Sequence, residues 1–361
     1  MTELNFKHIN PLESKRTIWH RSVGFIGTLL ILILILWSVY WLLIYQTISR
    51  SIDEWIVENK QRGVAVKFTS LDISGYPLWF NVKIKKPVVR LKKPRVWVWR
   101  LPLVKAKFRP WNLSNIFIDL DGLHHFEGAK RVALQARKLK TTIDIGSSRG
   151  WRARFAGEDL NAEVKTFGKV ALKNIVVETD WPGQILTVDT LAPRIDVIVN
   201  SLRVPIDWAL PLGNQVATFR LEAHLKEEPG PFRDFNGLIQ WRDKGGTVEV
   251  TRLNLDHGPL RLNGEGTFAL DRDLQPVGTL TVRVEGLSKI VDVLLMKNII
   301  GVGQATAATL LLAALTERPV GQVPHIKAPL TLQDQQLSFQ SFSFMKIPKF
   351  TWPSFFTRAP E

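Results

Sequence analysis

The stretch Asp256–Gly286 reads DHGPLRLNGEGTFALDRDLQPVGTLTVRVEG, and it decides the fold class. Leu260 and Leu262, then Phe268 and Leu270, then Leu280, Val282 and Val284 recur at every second position. Two is the period of a strand with one apolar face; a helix would repeat every three or four residues. Turn chemistry separates the runs: HGP at His257–Pro259 and DRDLQP at Asp271–Pro276. Gly264 and Gly266 leave room on one face or permit a bulge. The segment is a series of short hairpins.

The same alternation extends outward in both directions. Leu253 and Leu255 precede it, and Phe219, Leu221, Ala223 and Leu225 alternate with Arg220, Glu222 and His224. Ile143 and Ile145 flank Asp144, while Leu78, Phe80, Val82 and Ile84 alternate with Trp79, Asn81 and Lys83. Further turn signals are SGYP at Ser74–Pro77, KKP at Lys85–Pro87 and DQQ at Asp334–Gln336. Helical patterns between strands are scarce, so the expectation is a mainly β protein with an elongated antiparallel sheet. About 14 to 18 strands would extend roughly 65–80 Å at the usual spacing between neighbours. An open groove, two packed sheets and a closed barrel all fit this pattern.

One helical segment interrupts the strands. Ser288–Thr316 reads SKIVDVLLMKNIIGVGQATAATLLLAALT, and its part from Asn298 onward is uncharged. Its length admits a second membrane span. Its glycines, threonines and alanines, and the β tail after it, favour helices that cover the apolar face or close one end.

At the other end, Ser22–Gln46 is an uncharged run centred on FIGTLLILILILWSVYWLLIY. It exceeds the roughly 20 apolar residues that a spanning helix needs. Trp37, Tyr40, Trp41 and Tyr45 crowd one end, where amphipathic rings suit the headgroup layer. Lys15, Arg16 and Arg21 precede the run, and Asp53 and Glu54 follow it, which places the N-terminus in the cytoplasm. With no small-residue cleavage pattern, the run reads as a retained signal anchor. The expected organisation is a cytoplasmic tail (1–21), an anchor (22–46), a linker helix (47–63) and a periplasmic β-rich domain (64–361) with helices near 288–316. In the linker, Ile48, Ile52, Trp55 and Ile56 share one helical face, and Gly63 can cap its end.

The 361 residues contain no cysteine, which rules out a disulfide scaffold, thiolate zinc sites and thiol nucleophiles. The net charge of +15 is unevenly placed. Between Ile73 and Ile118 there is no acidic residue. That stretch carries Lys83, Lys85, Lys86, Arg90, Lys92, Lys93, Arg95, Arg100, Lys105, Lys107 and Arg109, with Trp79, Trp97, Trp99 and Trp111 among them. Solvated outward side chains, anionic phospholipid headgroups and an acidic protein partner are the three readings; tethering near a bilayer favours headgroups over nucleic acid. The bases from Lys83 to Arg109, with Trp97, Trp99 and Trp111, are therefore the expected headgroup or membrane-surface contacts.

No catalytic constellation emerges. His124–His125 lies near Asp119, Asp121 and Glu127, but adjacent strand side chains point to opposite faces. His257 belongs to a turn, and Asp180–Trp181 and Asp207–Trp208 read as strand-end or turn anchors. HExxH, GxSxG, Walker and dinucleotide motifs are missing. No cofactor, metal or enzymatic activity is expected.

The order of these features resembles the DUF2125 family of alphaproteobacterial membrane-anchored proteins. The resemblance is carried by the N-terminal anchor, Ser74–Pro77 with its following strand, Asp256–Gly286, the helical GLSKIVDVLL and the closing APLTLQDQQLSF. That family is in turn similar to the AsmA-like envelope proteins. The similarity implies a bent sheet with an apolar concave face and a part in phospholipid movement or envelope maintenance. The expected function is an inner-membrane-anchored periplasmic lipid-binding or lipid-transfer accessory protein. The alternative is a non-enzymatic structural or protein-interaction factor in envelope assembly, with an envelope protein as partner.

Overall fold

A computed structural model describes residues 11–61, 63–91, 96–128, 130–146, 150–165, 167–182, 193–208, 210–227, 235–319, 321, 323–339, 342–350 and 352. The first element is one continuous helix, α1 (Pro11–Gln61), which carries the apolar run and the segment after it without a break. Gly63 follows at φ +85°, and its N–H donates to Lys60 O at 3.1 Å to end the helix. Within α1, Phe25–Gln61 is long and apolar enough to cross a membrane.

Nineteen strands follow among the described residues, and all pair antiparallel. The first eight are halves of four longer strands. β1 (Val64–Lys67) continues into β2 (Ser70–Ser74), and β3 (Phe80–Lys85) into β4 (Val88–Leu91). β5 (Trp97–Arg100) continues into β6 (Leu103–Arg109), and β7 (Asn112–Asp119) into β8 (Gly122–Glu127). Both halves of each lie against the same neighbour: β7 and β8, for example, pair with successive parts of β9 (Arg131–Gly146). The nineteen strands thus fill fifteen lanes, inside the expected range. The remaining lanes are β10 (Gly150–Val164), β11 (Gly168–Trp181), β12 (Arg194–Arg203), β13 (Gln215–Lys226), β14 (Thr247–His257), β15 (Leu260–Leu270), β16 (Pro276–Glu285), β17 (His325–Gln333), β18 (Gln336–Phe339) and β19 (Phe342–Lys346). Each lane pairs with the next in sequence, and no pairing joins β19 to the first lane, so the elongated, bent sheet does not close into a barrel.

The breaks line up across neighbouring lanes as a crease. At Lys86–Pro87 and Leu101–Pro102 the prolines supply no ladder donor, and the chain is held instead by Lys86 N–H to Pro102 O (2.9 Å) and Leu101 N–H to Pro87 O (3.3 Å). At Leu120–Asp121 the Asp121 carboxylate accepts from Leu139 N–H at 2.6 Å. Beyond β9 the lanes are continuous, but the ladder skips one pair at Asp159 (φ +48°) and at Ser201 (φ +56°), each opposite Lys173, with the register unchanged on either side. KKP at Lys85–Pro87, expected as a reversal, is instead a kink within one lane that keeps its register on both sides, because Pro and a positive φ serve a kink as well as a turn. SGYP, HGP, DRDLQP and DQQ do reverse the chain.

The lanes keep a common face. Ile73, Val82, Ala106, Ile118, Thr141, Phe155, Val177, Val197, Leu221, Leu253, Gly264, Val282 and Ala328 stand opposite one another from lane to lane. Thr141 is the one polar member of this thirteen-lane row. The reverse face is ionic, with Arg152–Asp180 and Arg154–Glu178 at 2.6 Å and Arg220–Asp196 at 3.1 Å. The apolar face of the early lanes packs on α1, where Phe80, Val82 and Phe108 meet Trp41, Ile44, Tyr45, Ile48 and Ile52.

Three short α-helices complete the fold among the described residues. α2 (Phe235–Asp243) buries Leu238 and Trp241, whose Nε1 donates to Lys226 O at 3.1 Å. α3 (Leu287–Met296) and α4 (Val302–Leu315) lie between β16 and β17. Of the two expected placements, α4 does not take that of a cover for the apolar face: Ala305 is its one buried residue.

Candidate functional site

The end of the apolar run docks on two turns of the sheet. Trp37 Nε1 donates to Pro77 O (3.1 Å), Tyr40 OH donates to Pro110 O (2.8 Å), and the Ser38 and Tyr76 hydroxyls share a hydrogen bond at 2.7 Å. Trp41 stacks on Phe80 with centroids 4.7 Å apart. These contacts hold Ser74–Pro77 and Pro110–Trp111 level with the aromatic end of the run. Tyr76, Leu78, Trp111 and Leu113 are exposed there. Lys107 Nζ lies 4.0 Å above the Trp79 ring, and Arg109 lies between Trp79 (4.9 Å) and Trp111 (5.8 Å). Cations over indole faces beside exposed apolar residues form a collar at the turns on which α1 docks.

A groove of about 490 Å³ opens next to this collar. Register builds it: Lys83, Lys105, Asp119 and Lys140 stand in one row, and Asn81, Lys107, Phe117 and Thr142 in the next. Among the described residues, Lys105 is the one lysine here with a carboxylate partner, Asp119 at 3.7 Å. Three further ammonium groups around a groove with an exposed Phe117 wall can hold an anion. Lys140 was outside the basic stretch read from the sequence; only the pairing of β7 with β9 brings it in.

The other expected contacts lie elsewhere. Lys85 and Lys86 sit at the crease, and Arg90, Trp97, Trp99 and Arg100 lie beyond it on β4 and β5. Arg100 pairs with Glu127 at 2.6 Å, and Trp97 and Trp99 pack with Phe126. Lys92, Lys93 and Arg95 lie outside the described residues. The stretch that is continuous in sequence is thus divided along the strands. The groove also faces away from α1, since Lys83 and Lys107 alternate with Val82 and Phe108. It cannot take the headgroup of a lipid whose chains lie on the apolar face at the same place.

His124 is buried against Trp99, and His125 is exposed on the other side of β8. Trp99 Nε1 donates to His124 Nδ1 (3.2 Å), so the neutral ring donates from Nε2 to Leu120 O (2.6 Å). Burial is the main cause that holds its pKa below the ordinary 6.5, against the upward pulls of Leu120 O and Asp121. Protonation therefore favours the unfolded chain. This contribution to stability is complete above pH 6.5 and declines as the pH falls below it toward the folded-state pKa. Urea midpoints measured on acidification should fall for the parent, and His124→Gln should flatten that fall. An equal slope in both would exclude the residue as its source. No cluster of three His, Asp or Glu suited to a metal occurs among the described residues.

Residues 41–339 match the family described as "Uncharacterized protein conserved in bacteria (DUF2125)". The chain belongs to the DUF2125 family. No curated protein and no solved structure matches it. The DUF2125 match starts at Trp41, the residue stacked on Phe80, and ends at Phe339, where β18 ends. The DUF2125 unit therefore takes in α1 from Trp41 onward and the sheet as far as β18, while Trp37, Ser38 and Tyr40 dock from just before it. All the internal segments that carried the resemblance fall inside it.

A second opening lies between α1 and the sheet. Ile44, Ile48, Ile52, Trp55 and Leu113 line this apolar crevice of about 360 Å³, along the part of α1 just past the docking contacts.

Proposed function

We propose that this DUF2125 protein is an inner-membrane-anchored periplasmic protein that binds lipid or assists its transfer in envelope maintenance. The observation that carries the reading is the apolar row of thirteen lanes, which begins where α1 docks. A lipid leaving the bilayer along α1 would meet the crevice at Ile44–Trp55 and then a continuous apolar face. Orientation follows from Lys15, Arg16 and Arg21 before the apolar run and Asp53 and Glu54 after it. The likeness to AsmA-like proteins, which share an anchor followed by a long sheet, points the same way. Arg109, Trp79 and Trp111 would rest on anionic headgroups of the host membrane. The lysine groove would hold a separate anion on the ionic face. No nucleic acid and no catalytic step enter this proposal.

The test is a photo-crosslinking amino acid at Val197 on the apolar face or at Glu178 on the ionic face of the full chain in bacterial membranes. Irradiation should give a phospholipid adduct from position 197 and none from 178. No lipid adduct at 197 would overturn the reading, and a single protein adduct there would favour an interaction factor in envelope assembly.

A further inference from the structure

The most exposed apolar element outside the anchor is α4. Val302 is 72% exposed, Leu310 68% and Leu311 61%, and the adjoining Met296 and Ile299 are also open. A surface helix of a water-soluble domain carries a polar face. α4 has none: from Asn298 to Thr316 there is no charged residue, and its apolar side chains are distributed all round.

Its hydroxyls and the Gln304 carbonyl bond back to the helix itself. Thr306 Oγ1 donates to Val302 O (3.0 Å) and Thr309 Oγ1 to Ala305 O (2.8 Å). Thr316 Oγ1 donates to Leu312 O, and Gln304 Oε1 accepts from Gly301 N–H at 2.9 Å. Every polar side chain between Gly301 and Thr316 thus makes a bond within its own turn of chain. Hydroxyls that return to the backbone suit a medium with no hydrogen-bonding partners. A protein groove would need only one apolar face, so it leaves the opposite side unexplained.

We infer that α4 is a second membrane-contacting element, which sinks into one leaflet of a phospholipid bilayer. Fourteen residues make about 21 Å of helix, short of the roughly 30 Å hydrocarbon core. The hairpin leaves from β16 and returns to β17, which pair with each other, so both its ends stay on one side of the bilayer. Lys297, exposed between the two helices, would reach up to the headgroups. α3 lies at the base, with Val291 buried and Lys289 and Asp292 exposed. This insertion does not require lipid on the apolar face, so an absent adduct at Val197 leaves it standing.

The missing cysteines make the test direct. Leu311→Cys, labelled with an environment-sensitive fluorophore, is placed in the full chain in phospholipid nanodiscs. Thr267→Cys, exposed on β15, is the water-facing control. The 311 label should emit to the blue of the control and lose intensity when brominated phospholipid is supplied in the disc or in added vesicles. The two sources report whether the host bilayer or an apposed one is entered. Water-like emission at 311 would overturn the inference. So would a blue shift that no brominated lipid quenches, since that is burial against protein.

Discussion

Phe80→Ala will destabilise the protein by about 3–5 kcal/mol, the usual range for emptying a fully buried aromatic site. Phe80 has no exposed surface, and its ring lies between Trp41 at 4.7 Å and Phe108 at 5.4 Å. Trp41 belongs to α1 and Phe108 to the third lane, so the cavity opens at the joint between helix and sheet. Neither wall can close freely: Trp37 and Tyr40 fix the helix to the turns, and the β3–β6 ladder fixes the lanes. Urea unfolding of the full chain in detergent, followed by tryptophan emission and circular dichroism, measures the loss. Phe117→Ala, on the ionic face and exposed, should stay within about 0.5 kcal/mol. A double-mutant cycle with Trp41→Ala should show coupling of about 0.5–1.5 kcal/mol for the stacked pair. A loss below about 1 kcal/mol for Phe80→Ala would mean that the helix is not seated on the sheet through this ring.

Much of this architecture is written locally in the sequence. Leu260, Leu262, Phe268, Leu280, Val282 and Val284 alternate because one face of each strand is apolar, so a short window suffices to recognise them. The reversals at Ser74–Pro77, His257–Pro259 and Asp271–Pro276 are equally local. The crease is not. Lys86–Pro87 carries the chemistry of a turn, and whether the chain reverses or kinks there depends on how β4 pairs with β1 and β5. The lysine groove is hidden for the same reason. Lys140 is far from Lys83 in sequence and joins it only through β6 and β7. Conversely, the basic stretch looks like one patch because it is contiguous, yet its strands carry it past the crease.

The helical segment near 288–316 shows a different limit. Its apolar composition is plain, but composition is the same for a buried cover and for an exposed element. Exposure decides between them, and it depends on whether β16 and β17 hold the hairpin over the sheet or away from it. The ionic face adds little to that balance. Arg152–Asp180 and Arg154–Glu178 are substantially exposed pairs, and such pairs contribute about 0–1 kcal/mol each. Their regularity keeps that face in water and leaves the apolar face as the side that must find hydrocarbon or protein.

Gly286→Ala should cost about 2–5 kcal/mol, and the loss should be focused on the hinge that carries α3 and α4. Gly286 has φ +82°, a region that costs an L-residue about 1–2 kcal/mol. A methyl group there would also clash with Pro259 O, so the backbone must shift, at about 1–3 kcal/mol more. The shift has nowhere easy to go. Pro259 leads directly into β15, which is paired with β16, and Gly286 O already accepts from Ile290 N–H in the first turn of α3. Gly63→Ala is the matched comparison, because Gly63 has φ +85° and nothing within 4 Å of the added carbon. It should lose only the backbone part, about 1–2 kcal/mol. The difference between the two variants in urea unfolding then isolates the contact with Pro259. If both lose the same amount, Pro259 does not hold α3 in place, and the hairpin turns on its hinge without strain in the sheet.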